Sequence, residues 1–248
     1  MTLALKGGAI KSYWKEFMKI LGIDTTTKFL SLGAYDNTKV YEYNLEVGRK
    51  LSSLLTKTIG RVLDALGWHI EDVDYFACGL GPGSFTGMRV GLATIKGLAW
   101  SFKKPVIGIS TLDILAKNVN TVGRAIVPAI DAKRNLTYCC AYKIKDGAQI
   151  KMMPYMLLTE REFFRKARPN SVIFGDAVDL HKGNILMQIK GATILDKDYW
   201  YPRGRNIITL ALERIKERKV SDAFKISPIY LYPKECQIKQ AQNVKRKT

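Results

Sequence analysis

Histidine is nearly missing from this chain of 248 residues: there are 2, His69 and His181, and neither has a second histidine at metal-ligand spacing. That leaves no histidine pair for a zinc site, and no Ser-His-Asp order or Cys-His pairing that spacing would recommend for a nucleophile. Cysteine is scarce too. Cys78, Cys139, Cys140 and Cys236 include one adjacent pair and no C-x-x-C, which supports neither a disulfide framework nor a zinc ribbon; reduced, mostly buried thiols are expected. No run reaches the roughly 18 apolar residues that a membrane span needs, and the start lacks the apolar core of a secretory signal. The expected location is therefore the cytoplasm, with no membrane partner. Acidic residues number only 22 against 40 basic ones, which gives a net charge of +18 and a pI near 9.7. Such a surplus favours polyanions through counterion release, nucleic acid above all. The basic residues are spread along the chain, with local clusters at Lys103-Lys104, Arg165 to Arg168, Arg214 to Lys219 and Lys245-Arg246-Lys247. The charge fits RNA, or a complex that holds RNA, and equally a lysine-rich genome.

What the chain does have is 47% apolar residues, enough to bury a large core, and one stretch of unusual grammar. Tyr75 to Phe102 reads as a buried strand, a glycine-rich turn and an amphipathic helix. Gly79, Gly81 and Gly83 permit backbone angles closed to other residues, Pro82 fixes one φ, and Ser84 is placed to cap the helix. A turn of this kind is expected to leave its amides free and aim them, with the helix dipole, at one point, as phosphate sites do. The alternative needs no ligand, only a tight strand-to-helix connection. G-x-G-x-F-T-G is neither a Walker loop nor a dinucleotide fingerprint, so motif strength favours the structural reading.

The helix that follows has two sides. Phe85, Met88, Leu92, Ile95, Ala99 and Phe102 fall at helical spacing and form a bulky stripe, while Gly87 and Gly91, beside Val90, Ala93 and Gly97, make a flat one. Each glycine inside a helix costs about 1 kcal/mol against alanine, so close approach of another element is implied. Both sides pack inside one domain, or one of them is a subunit interface; periodicity does not decide.

Before this stretch, Ile20 to Asp24, Phe29 to Tyr35 and Val40 to Val47 read as a strand meander, and Lys50 to Leu66 as a helix stopped by Gly67. After it come a strand at Val106 to Ile109 and a helix opened by Thr111. A second set starts at Arg124, with A-I-V-P-A-I-D as a strand ending in Asp131, which echoes the strand ending in Asp24. Leu136 to Ile144 and Ala148 to Leu157 continue as strands, Thr159 to Glu162 is a capping box opening a helix to Arg168, Val172 to Asp176 is a strand and Asn206 to Arg218 a helix. Two halves of meander plus helices imply duplication of a mixed α/β unit with a cleft between them. Asp24, followed by Thr25, Thr26 and Thr27, and Asp131 are the candidate cleft acids.

M-K-I-L-G-I-D-T-T-T from Met18, G-L-G-P-G-S-F-T-G-M-R-V-G from Gly79, G-I-S-T-L from Gly108, I-D-A-K-R from Ile130 and P-I-Y-L from Pro228 closely resemble the TsaB family, also called YeaZ. The resemblance runs from Met18 to about Tyr232. It implies a duplicated, actin-like (RNase H-type) α/β fold, with an N-terminal lobe at 18–118, a C-terminal lobe at 119–235 and a basic tail at 236–248. Residues 1–17 match nothing in the family and are read as a frayed arm or, preferably, as a consequence of translation starting at Met18. The resemblance further implies a non-catalytic subunit of the bacterial complex that installs threonylcarbamoyl on the tRNA adenosine beside the anticodon. The implied partners are a TsaD-like transferase, a TsaE-like ATPase and, through the complex, tRNA, with a homodimer when alone. No cofactor or metal is expected on this chain; ATP and metal are expected on the partners.

Dimerisation is implied to use the two helices of the first lobe, here represented by Leu51, Leu54, Leu55, Phe85, Gly87, Met88, Gly91, Leu92 and Ile95. Asp24, Thr25, Gly83, Ser84 and Asp131 would line a vestigial nucleotide cleft. The chain departs from the family at Leu51, where a histidine is usual, at Leu136, usually glutamate, and at Tyr232, usually arginine; these departures further weaken cleft chemistry. The competing expectations are an actin-like nucleotide-dependent kinase or transferase, with Asp24 and Asp131 flanking a metal-bound phosphate, and a free RNA-binding protein.

Overall fold

The computed structural model describes residues 18–232; the N-terminal segment 1–17, the tail and Cys236 lie outside the described residues. The first half runs β1 (Ile20–Asp24), β2 (Phe29–Tyr35), β3 (Val40–Glu46), α1 (Leu51–Leu66), β4 (Tyr75–Gly79), α2 (Phe85–Ser101), β5 (Val106–Ile109) and α3 (Thr111–Ala116). The second runs β6 (Ile126–Asp131), β7 (Leu136–Cys139), β8 (Tyr142–Lys145), β9 (Ala148–Lys151), β10 (Met156–Thr159), α4 (Glu160–Lys166), β11 (Val172–Phe174), α5 (Val178–Gln188), β12 (Thr193–Ile194) and α6 (Gly204–Lys216).

The duplication is visible in the strand order. The first sheet is β3-β2-β1-β4-β5, and the main path of the second is β10-β7-β6-β11-β12. In each, the founding strand pairs antiparallel with the next one and parallel with the strand that follows a helix. The second sheet adds one hairpin, β8–β9, which pairs at the start of β6 through Ile126 and Tyr142. For that reason the single strand expected over Leu136 to Ile144 is broken at Cys140-Ala141: β7 pairs with the end of β6 and β8 with its beginning.

Local signals act where they were read. Gly67 ends α1 at φ 65°, and its amide reaches back to the Asp64 and Leu63 carbonyls. Thr159 and Glu162 close a reciprocal capping box at α4. Helix α5 has no counterpart in the sequence reading, because its apolar residues do not share one side: Val178 and Ile185 are buried while Leu180, Leu186 and Met187 are exposed.

The two halves exchange helices. Helix α6 lies on the first sheet, where Ile207, Ile208, Ala211 and Ile215 share a core with Ile20, Ala77, Ile107 and Ile109. Its first turn sits directly on β2: a Cβ on Gly33 would stand 2.3 Å from the Gly204 carbonyl oxygen, and one on Gly204 2.0 Å from that of Leu32. Reciprocally, Leu112, Leu115 and Ala116 of α3 join the core of the second lobe. The chain after α6 also returns to the first lobe, with Ser221 bridging Val106 and the Ile229 amide donating to the Leu80 carbonyl at 2.8 Å. A sheet needs both faces covered; each half lends the other the helix that does so.

Candidate functional site

The glycine turn and the end of β1 form one packed unit. Asp24 is completely buried: its Oδ1 accepts from the Thr26 amide and hydroxyl, each at 2.8 Å, and its Oδ2 from the Thr111 hydroxyl at 2.8 Å. Burial pushes its carboxyl above the ordinary carboxylate range, against those hydrogen bonds, which pull the other way. Thr25 is buried as well and donates to the Gly87 carbonyl at 2.7 Å. Gly83 lies against the same turn, since a Cβ there would be 2.5 Å from the Thr26 carbonyl oxygen. Ser84 caps α2 through the Gly87 amide, as expected. The expectation of free turn amides is corrected at two positions: the Ser84 amide donates to Thr26 O at 2.7 Å and the Leu80 amide to Ile109 O at 2.8 Å. These two donors are directed at the turn's own neighbours.

Asp131 occupies the equivalent place at the end of β6, on the other lobe. It accepts from the Lys133 amide at 2.7 Å and pairs with the Lys133 ammonium, while its own amide donates to Asp176 at 2.8 Å. Burial raises the Asp176 carboxyl above its ordinary range; the Asp131 amide opposes the shift and the Asp131 charge adds to it. Lys133, Arg134 and Asn135 all have positive φ, and the Tyr232 hydroxyl donates to the Ala132 carbonyl at 2.8 Å beside them. Tyr232 thus turns onto its own chain. No hydrogen bond among the described residues joins Asp131 to Asp24, Thr25, Gly83 or Ser84, so the five cleft candidates fall into a buried pair, Asp24 and Thr25, the half-buried Gly83 and exposed Ser84 of the turn beside it, and a separate carboxylate. Among the described residues, no group of three or more His, Cys, Asp or Glu side chains is arranged to hold a metal ion.

The two sides of α2 sort differently from the sequence expectation. Gly87 and Gly91, on the flat side for which periodicity left an internal contact and a subunit interface both open, are buried against Thr25: a Cβ at either would collide with it, at Gly87 with the carbonyl oxygen and at Gly91 with the hydroxyl. Leu51, Leu55, Leu92 and Ile95 are in the core of the first lobe, and Met88 is buried under the turn. These seven residues pack within their own chain. Of the nine helix candidates, Leu54 is half-buried and Phe85 is 46% exposed, its ring under the Arg89 guanidinium at 3.8 Å. The outward faces of α1 and α2 present Gly60, Ala93 and Gly97 instead, and nothing lies within 4 Å of a Cβ built on Gly60 or Gly97.

One constellation escaped the sequence reading. His181 of α5 is buried with Nε2 3.2 Å from the Thr137 hydroxyl and Nδ1 3.2 Å from Glu160. Hydroxyl, imidazole and carboxylate stand in the order of a nucleophile, base and orienting acid. Thr137 is fully buried in β7, however, so no carbonyl substrate reaches its oxygen. The three residues come from β7, α4 and α5, and no sequence spacing links them. The thiols are equally withdrawn: Cys78, Cys139 and Cys140 are free and buried, and desolvation pushes the Cys139 thiol up to about 12.

Two sheets of one strand order with exchanged covering helices define the class, a duplicated actin-like, RNase H-type protein, in which the first-lobe carboxylate is closed to solvent. A solved structure of YeaZ from Pseudomonas aeruginosa superposes with a TM-score of 0.75 at 24% identity, covering 86% of this chain and 100% of that one. The tRNA threonylcarbamoyladenosine biosynthesis proteins TsaB of Escherichia coli K12 and Haemophilus influenzae Rd are 32% and 34% identical, each over 86% of this chain and over 94% and 93% of theirs. The chain belongs to the TsaB family. A family model described as TsaD, tRNA N6-adenosine threonylcarbamoyltransferase, matches residues 45–164. No helix among the described residues is long and apolar enough to cross a membrane.

Proposed function

We propose that this chain is a non-catalytic subunit in the threonylcarbamoylation of the tRNA adenosine beside the anticodon, working in the cytoplasm. It acts by pairing with a TsaD-like transferase, and with a TsaE-like ATPase in the full assembly; ATP and metal belong to those partners. The observation that carries this reading is the near full-length match to TsaB proteins, whose names state tRNA threonylcarbamoyladenosine biosynthesis. The geometry supports the non-catalytic part, because Asp24, the acid that a nucleotide-dependent enzyme would turn toward a metal-bound phosphate, is committed to three internal hydrogen bonds. The pairing surface is the outward side of α1 and α2, where Gly60, Ala93 and Gly97 allow a helix of the partner to approach closely. The same surface serves a homodimer when the partner is absent.

The test is reconstitution. The chain, a TsaD-like subunit and a TsaE-like subunit are combined with ATP, threonine, bicarbonate and whatever enzyme supplies the threonylcarbamoyl donor, and the modified nucleoside is measured by mass spectrometry. The nucleoside is expected only when this chain is present, and the chain alone is expected to make none. Ala93→Arg with Gly97→Arg is expected to abolish co-purification with the transferase while leaving the melting temperature unchanged. Modification by the chain unaided, or a pair that survives both arginines, would overturn the reading.

A further inference from the structure

Between α4 and α5, on the second lobe, lies an open groove of about 510 Å³ lined by Glu160, Arg161, Phe164, Arg165, Asn184 and Gln188. Arg161 and Arg165 stand one helical turn apart on the exposed side of α4, and Asn184 and Gln188 are spaced in the same way on α5. Phe164, half-buried, lies between them. The groove therefore offers two guanidinium forks, the Gln188 carboxamide, the Asn184 carboxamide with its amide turned to Glu160, and an aromatic ring, beside the Glu160 carboxylate. The carboxylates nearby are already occupied. Glu160 accepts from Asn184 at 2.8 Å and contacts His181, and Glu162 is held by the Thr159 capping box. Neither Arg161 nor Arg165 has an ion-pair or hydrogen-bond partner among the described residues, whereas Arg205 and Arg214 are paired with Glu42 and Asp113.

We infer that the α4–α5 groove is a binding site for an RNA strand, with Arg161 and Arg165 on the phosphates. Guanidinium forks fit phosphate oxygens in two-point contacts, carboxamides bond to sugars and base edges, and an aromatic ring accepts an unstacked base. The net charge of the whole chain favours a polyanion of phosphates, and an acidic peptide is the alternative that the comparison with polyglutamate separates. The net charge of +18 supplies the long-range attraction, and the groove gives it a place to converge. The inference deepens the proposed function, on which it rests: the RNA of that reading is tRNA, and the groove is built from elements other than the two helices proposed to hold the transferase.

The experiment measures binding of an unmodified tRNA transcript to the full chain over a series of salt concentrations. Arg161→Glu with Arg165→Glu is expected to weaken binding about tenfold or more near 0.1 M salt and to flatten the slope of log K against log salt by about 1.5, the value expected when two phosphates are no longer neutralised. Arg161→Gln with Arg165→Gln guards against misfolding: it should give a smaller loss in the same direction at an unchanged melting temperature. A control pair, Lys143→Glu with Lys145→Glu on the β8–β9 hairpin, should lose much less. No detectable tRNA binding by the full chain, no loss in the arginine variants or an equal loss in the lysine control would overturn the inference. So would a loss of affinity for polyglutamate with tRNA binding untouched. If the reconstituted assembly modifies tRNA while the arginine variants bind it normally, the groove fails and the proposed function stands; if the variants lose tRNA but the intact chain never supports modification, the reverse holds.

Discussion

Asp24 closes β1 and Asp131 closes β6, the equivalent strand of the other lobe, yet the two carboxylates live in different worlds. The first is sealed beneath Gly79, Thr26 and Thr111; the second keeps a surface lysine and sits beside a loop of three left-handed residues. The helices differ in parallel. In the first lobe α2 is pressed onto the β1 turn through Gly87 and Gly91, while in the second α5 leaves Gly183 with nothing within 4 Å and Met187 83% exposed. One unit has thus been used twice, once with its helix pressed onto the tip of the founding strand and once as a looser half with an open groove between α4 and α5. The duplication preserved strand order because the sheet hydrogen bonds require it, and released the strand tips and helix surfaces, which they do not.

The sharpest break of that comparison is at Gly87. Gly87→Ala places a methyl against the Thr25 carbonyl, a backbone atom that cannot rotate aside, so α2 must lift from β1. A loss of about 3 kcal/mol is expected, measured by urea unfolding of the isolated chain. A change below about 1 kcal/mol would mean that the close contact between α2 and the β1 turn is easily relaxed. The outcome also matters for the partner surface: a failed assembly in this variant reports a damaged fold, which is why Ala93 and Gly97 are the positions that probe pairing.

The carboxylates come next. Asp24→Ala leaves the Thr26 and Thr111 donors buried without their acceptor and is expected to cost about 2–3 kcal/mol, against less than about 1 kcal/mol for Asp131→Ala, whose lysine returns to water. The pH dependence separates them further. The Asp24 carboxyl is raised in the folded chain above its ordinary value of 3.8, so its contribution is full below that value and is lost as the pH rises through the folded-state pKa. Asp24→Asn, which keeps the shape and carries no charge, should therefore gain on the wild type in melting temperature between about pH 4.5 and about pH 7.5. If the difference between the two proteins is the same at both pH values, the hydrogen bonds from Thr26 and Thr111 offset the burial and the carboxyl is not raised.

How much of this was legible in the residues depends on the range of the interaction. The Ser84 cap, the Gly67 stop and the Thr159–Glu162 box are each contained within four residues, and all three stand where the sequence put them. The repeat of a meander ending in Asp24 and again in Asp131 announced the duplication, because strand patterning is also local. The family was legible from the Gly79 to Gly91 motif. What stayed hidden was every fact that depends on which surface meets which. Helix α6 reads as part of the second half and packs on the first; Gly87 and Gly91 suit an internal contact and an interface equally in sequence, and Thr25 is what lies against them. Amphipathicity shows that a face is buried and is silent about what buries it. The Thr137–His181–Glu160 line is the extreme case, three residues from three elements brought together only by packing.

The smallest effect, and the one that tests the looser half directly, is Gly183→Ala. A glycine in the interior of a helix loses backbone freedom on folding that alanine does not, and at Gly183 no neighbour offsets the cost by needing the space. The substitution is expected to stabilise the isolated chain by about 0.5–1 kcal/mol, a rise of about 2 °C in melting temperature. The same methyl group that is excluded from α2 should thus be welcome on α5. A loss of stability instead would show that α5 is covered in solution by something that fits against Gly183, Leu180 and Met187, and the contrast between a packed first lobe and an open second one would have to be withdrawn.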